Sequence, residues 1–214
     1  MTREFYKSTG VSLISGSLLM ICTMILHPSG GSIERLIAIS DSIITAHSIA
    51  IFSIPFVLFG FYGLTKKLSD VYSISTLAFA FIAFGLVAAM LAAMINGLAI
   101  PFFVGKYADQ PELHESVVRP IVLFGFSLNT PLDYIFIVAF CLAVSVYSVQ
   151  LIRMKRLPVW IGYYGIIIIL LVTVGILSGF AFAGLLGFRT FVFSLAGWIL
   201  MAGYCLIKDT STNE

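Results

Sequence analysis

Charge is what this 214-residue sequence has least of: 10% of its residues are Asp, Glu, Lys or Arg, against about 25% in an ordinary soluble domain. Twelve basic and ten acidic side chains cannot coat a core drawn from a chain that is 60% hydrophobic, which excludes a water-soluble globule. Lipid has to cover most of the surface, so the chain reads as an integral membrane protein. Its mean hydropathy of +1.07 agrees. A formal net charge of +2, with no basic run on a polar face, leaves no footprint for nucleic acid.

Cysteine is scarce as well. Cys22, Cys141 and Cys205 lie in separate apolar runs with no CxxC pair and no zinc spacing, and they read as small packing residues. There is no GxSxG elbow, no Walker loop and no dinucleotide-binding glycine pattern, and no span holds two acids that could serve as acid and base. These absences remove the common soluble enzyme classes, and no motif names a reaction.

What is present is a series of long apolar runs. Six of them, near 8–27, 41–64, 74–103, 131–152, 158–184 and 188–207, supply the roughly 20 helical residues needed to cross ~30 Å of hydrocarbon. The expected architecture is one all-α membrane domain over 1–214, a bundle of six transmembrane helices. A polar stretch at 106–116 precedes an apolar run at 117–128 that is too short to cross, and this is expected to form an interfacial or re-entrant helix. Thr130-Pro131-Leu132-Asp133 offers a capping hydroxyl, a proline at the first helical position and an acid in the first turn. Together they place the start of the fourth span after Asn129. His27-Pro28-Ser29-Gly30-Gly31 stops the first span, and 32–40 fits either a short amphipathic surface helix or a structured loop.

Lys and Arg in short loops set orientation. Arg3, Lys7, Lys66, Lys67, Arg153, Lys155, Arg156 and Lys208 fall on one side, and Arg35, Lys106, Arg119 and Arg189 on the other. Eight against four puts both termini in the cytoplasm and, for a bacterial-type cell, the chain in the inner membrane. No small-x-small cleavage site follows the first apolar run, so it reads as a retained helix rather than a signal peptide. Two small-residue faces are candidates for helix contact, within the chain, between copies or with a membrane partner. They are Ala78, Gly85, Ala89, Ala92 and Asn96 on the third span, and Gly175, Gly179 and Ala183 on the fifth. Trp198, in the middle of the sixth span, reads as a packing residue.

The polar residues in and beside the spans gather at the outer ends. His27, Asp41, Thr45, His47, Asn96, Asn129 and Asp133 form the candidate ligand pocket. His47 lies about 9 Å along its helix from Asp41, deep enough that its imidazole has to face the bundle interior. In one reading, His27 and His47 with Asp41 or Asp133 move protons or hold a metal ion or one haem, giving a membrane enzyme or electron carrier. The metal set would be His27, His47 and Asp133. In the other, His27 caps a helix end and His47 bonds to Asn96 across a helix interface. Sequence spacing does not select the metal set, because the histidines lie on different helices. His114, inside Glu112-Leu113-His114-Glu115, is expected in a solvated loop. The middle and inner halves of the spans hold no Asp, Glu, Lys, Arg or His to mark a full ion path, so a small transporter ranks behind a binding protein. The expected function is an outward-facing pocket for a small ligand, or a structural role in a membrane assembly.

Overall fold

The computed structural model describes residues 1–69 and 74–211, and among these there is no strand. Helix α1, Arg3–Leu26, starts where the Thr2 hydroxyl accepts the Phe5 N–H at 3.3 Å. Helix α2, Ile33–Ala38, is capped the same way by Ser32, so the region at 32–40 contains a short helix. Helix α3 is Ser40–Leu68. Helix α4, Ile74–Met94, continues through a π-helical turn, Ile95–Ala99, into α5, Ile100–Gly105. A 3-10 turn, Pro111–Leu113, and a second π turn, His114–Val118, lead into α6, Arg119–Met154. Helices α7, Val159–Leu177, and α8, Leu185–Ser211, complete the described residues. Among the described residues, six segments are long and apolar enough to cross a membrane: Arg3–Leu26, Ser40–Leu68, Ile74–Gly105, Pro111–Met154, Val159–Leu177 and Leu185–Lys208.

Helix α1 lies between α3 and α8, and α4 pairs with α6, which also carries α7. α1 and α8 run antiparallel, since Gly10 meets Gly203 while Arg189 reaches the His27 carbonyl. The described chain ends therefore share one end of the bundle, here the terminal end; the opposite one is the far end. The terminal half is filled by aromatic rings. Phe61 stacks on Tyr147 at 5.7 Å and on Trp198 at 6.2 Å between centroids, and all three are fully buried. Trp198 Nε1 donates to the Ile161 carbonyl at 3.0 Å, and the Tyr147 and Thr65 hydroxyls lie 2.8 Å apart. Trp198 is thus a packing residue whose one polar atom is satisfied inside the protein.

Three expectations from the sequence are corrected here. The first concerns the fourth span, which does not begin at Pro131: that residue sits inside α6, and 117–128 is continuous with the span rather than a separate helix. A proline inside a helix removes one hydrogen bond and crowds the preceding turn. Packing on both sides outweighs that, with Val122 and Gly125 seated against the neighbouring hairpin arm, where Gly125 faces Ile95 and Ile100. At ~1.5 Å per residue α6 is about 54 Å long, well beyond the hydrocarbon thickness. Its first turns join α2, α5 and the start of α3 in a small second core of Ile33, Leu36, Ile43, Ile100, Val104, Val118 and Val122.

The second correction is the fifth span, which ends at Leu177 instead of 184. Gly179 adopts φ +79°, Phe180 N–H bonds the Gly175 carbonyl at 2.8 Å and Gly179 N–H bonds that of Ile176 at 3.0 Å. This is a glycine helix stop, so Gly175, Gly179 and Ala183 do not share a helical face. The third correction is His114, which is 6% exposed rather than solvated. The helical turns at 111–118 fold it inward, where Nε2 lies 2.8 Å from the Tyr107 carbonyl and Nδ1 3.4 Å from Glu34 Oε1.

Candidate functional site

The far half of the bundle encloses a cavity of about 280 Å³. Its apolar wall comes from Met20 and Met24 of α1, Ile54 of α3, Ala89, Ala92 and Ala93 of α4, Phe136 of α6, and Phe188 and Val192 of α8. The third-span face of small residues explains the space. Gly85 is filled by Phe140 of α6, whereas Ala89 and Ala92, one and two turns further along, border the void.

Two histidines meet at one side of it. His27 follows the last residue of α1 and His47 projects from α3, with ring centroids 4.8 Å apart and planes at 57°. The Nδ1 atom of His27 lies 2.9 Å from the Pro28 carbonyl, and that of His47 lies 2.8 Å from the Ile43 carbonyl. A carbonyl only accepts, so each neutral ring carries its proton on Nδ1 and leaves Nε2 with a bare lone pair. His47 therefore bonds within its own helix, not to Asn96. Burial is the largest influence on the His27 pKa and lowers it; the Pro28 carbonyl opposes this and the Arg189 guanidinium adds to it.

Close approach sets the His47 position. It packs onto Gly97 in the π turn, where any Cβ would overlap the Cβ and Cγ of His47. The π turn also presents Asn96, whose Oδ1 is buried without a partner. A local widening of a helix of this kind recurs at functional sites. Across the cavity, on α6, Asn129 Nδ2 donates to Asp133 Oδ2 at 2.6 Å, and Asn129 Oδ1 is buried and unpartnered. The pair is one helical turn apart, astride Pro131.

The structure brings together five of the seven residues expected from the sequence, His27, His47, Asn96, Asn129 and Asp133. Asp41 and Thr45 are exposed and do not line the cavity. They precede His47 by six and two residues, which turns them about 240° and 200° around α3 from it. Among the described residues, no three His, Cys, Asp or Glu side chains gather to hold a metal ion. The His27 and His47 pair supplies two nitrogens, short of the three protein ligands usual even in an open catalytic site.

Sequence reasoning passed over three contributors. Thr23 and Ser53 line the cavity, and Arg189 braces it from behind, its Nη2 donating to the His27 carbonyl while its Nε is buried without a partner. Thr23 had a readable signal, since it lies one helical turn before His27. Arg189 had one too, as a single cation in the first turns of the last span. The chain matches no family model, no curated protein and no solved structure.

Proposed function

We propose that this six-span membrane protein is a small-molecule binding protein whose far-end cavity faces the non-cytoplasmic side of a bacterial-type inner membrane. One observation carries the reading. Polar side chains from the end of α1, from α3, from the π turn and from α6 converge on one apolar-walled void, with acceptor atoms left unused. Polar groups within membrane spans are costly and are retained where they serve a site. A cavity with a greasy wall and a few convergent polar atoms is the usual form of a small-ligand site.

Depth and charge support the orientation. Lys7 to His27, Lys67 to His47 and Arg153 to Asp133 are each twenty residues apart, about 30 Å of helix and one hydrocarbon thickness. The cavity's polar atoms thus lie at the boundary opposite the basic terminal end, and the basic end belongs in the cytoplasm. Both termini are then cytoplasmic. The test uses single cysteines at Ser29, Asp109 and Lys67 in a chain with Cys22, Cys141 and Cys205 replaced. An impermeant thiol reagent added outside intact cells is expected to label the first two and spare the third; the reverse pattern would turn the cavity to the cytoplasm. Binding is tested by thermal-shift screening of the purified protein beside Ala89→Phe, which fills the cavity. Compounds that stabilise the parent and not the variant support the reading, and a screen in which the two respond alike contradicts it.

A further inference from the structure

Resting on the cavity being a binding site, we infer that its ligand is a hydrophobic organic amine, held as a cation by a ring of hydrogen-bond acceptors. The inference comes from counting where the protons in the wall are already used. Both imidazoles spend Nδ1–H on backbone carbonyls, so His27 and His47 offer Nε2 as acceptors. Thr23 Oγ1 donates to the Leu19 carbonyl at 3.0 Å, and Ser53 Oγ donates to that of Ala50 at 2.7 Å. Each hydroxyl has one proton, so these two also present only lone pairs. Asn129 uses its amide on Asp133 and leaves Oδ1 unpartnered, as Asn96 leaves its own.

Against these acceptors the wall keeps few free donors, the remaining amide protons of Asn96 and Asn129. Among the described residues, Asp133 is the only carboxyl lining the cavity. The nearby cation, Arg189, is turned onto the His27 carbonyl and is not part of the wall. An ammonium group brings up to three N–H donors and a positive charge, which match the Asp133 carboxyl and several acceptors at once, and charge-assisted bonds of this kind are the strong ones. The methionine, alanine and phenylalanine wall requires that the rest of the molecule be apolar. An anion would meet a carboxylate and bare lone pairs in a site with few donors.

The test holds the skeleton fixed and changes the head group. Binding of 3-phenylpropylamine, 3-phenylpropan-1-ol and 3-phenylpropanoate to the full chain in mild detergent is measured by calorimetry. The amine is expected to bind at least ~10-fold more tightly than the alcohol, as a charge-assisted bond would give, and the acid is not expected to bind. Asp133→Asn should remove the preference of amine over alcohol, and Ala89→Phe should abolish amine binding. Should Asp133→Asn fail to fold, the parent ratio together with Ala89→Phe decides the matter. Alcohol or acid binding as tightly as the amine, and lost in Ala89→Phe, overturns the amine while leaving the cavity as a site. Amine binding unchanged in Ala89→Phe places it elsewhere and overturns the inference. Stoichiometric Zn²⁺ binding that excludes the amine also overturns it, in favour of a metal. Failure of all three probes, with screening hits insensitive to Ala89→Phe, overturns the cavity as a binding site.

Discussion

At the terminal half of the bundle Phe61, Tyr147 and Trp198 are stacked to zero exposure, while at the far half Ala89, Ala92 and Ala93 border an open cavity. Both halves use the same small-residue stripe on α4. In the first, Gly85 is met by Phe140 from α6; in the second, no large side chain enters, and His27, His47, Asn129 and Asp133 stand around the gap instead. Helices in lipid associate through close packing rather than through a hydrophobic drive, so an unfilled space forfeits the contacts that hold the bundle together. The contrast teaches that a stripe of small residues marks where helices come close or where something else is admitted, and that the facing helix decides which.

The contrast can be broken most sharply by exchanging volumes. Trp198→Ala is expected to cost about 3–5 kcal/mol, as large cavities in packed cores do. Ala89→Phe, which adds volume where there is space, is expected to change stability by no more than about 1 kcal/mol. Unfolding in mixed detergent micelles measures both, and similar losses would mean that the halves are packed alike. Next in size is Gly97→Val. Its side chain would overlap His47, and overpacking of this kind costs about 1–3 kcal/mol. The imidazole proton and nitrogen resonances of His47 should shift with it, while the Trp198 indole resonance stays in place.

The smallest effect is at the far-end cap. Glu34 is held below its ordinary value of 4.5, first by the Ser32 hydroxyl and then by its own backbone and His114. Because the folded value is depressed, this carboxylate stabilises α2 above pH 4.5, and that support is lost as pH falls through the lowered value. Amide exchange in α2 should therefore rise below that pH in the parent and stay flat in Glu34→Gln, with α8 unaffected in both.

The six apolar spans and the polar end are legible in the sequence because both depend on composition: apolar length sets a span, and polar residues within lipid need a shared interior. Helix ends were less legible. Thr130-Pro131 carries every local sign of a helix start, yet the hairpin contacts at Val122 and Gly125 carry α6 through it. Gly179 looked like part of a packing face because four-residue spacing cannot reveal a positive φ. At the site, the sequence places His27 and His47 at the same end but leaves open whether they meet; the fold sets their rings 4.8 Å apart, on backbone carbonyls that leave no mark on side-chain patterns. Asp41 and Thr45 share only the depth of the site, and rotation about α3 carries them away from it.

The comparison between the halves is tested most directly on a single helix. Ala78 is fully buried in the terminal core, Ala89 borders the cavity, and both lie on α4. In a chain otherwise free of cysteine, each is replaced by cysteine in turn and the rate of reaction with a small cationic methanethiosulfonate is measured. Since thiol reactivity follows access, Ala89→Cys is expected to react roughly 100-fold faster than Ala78→Cys or more. Equal rates, or an unreactive thiol at 89 in a folded protein, would contradict an open cavity at the far end.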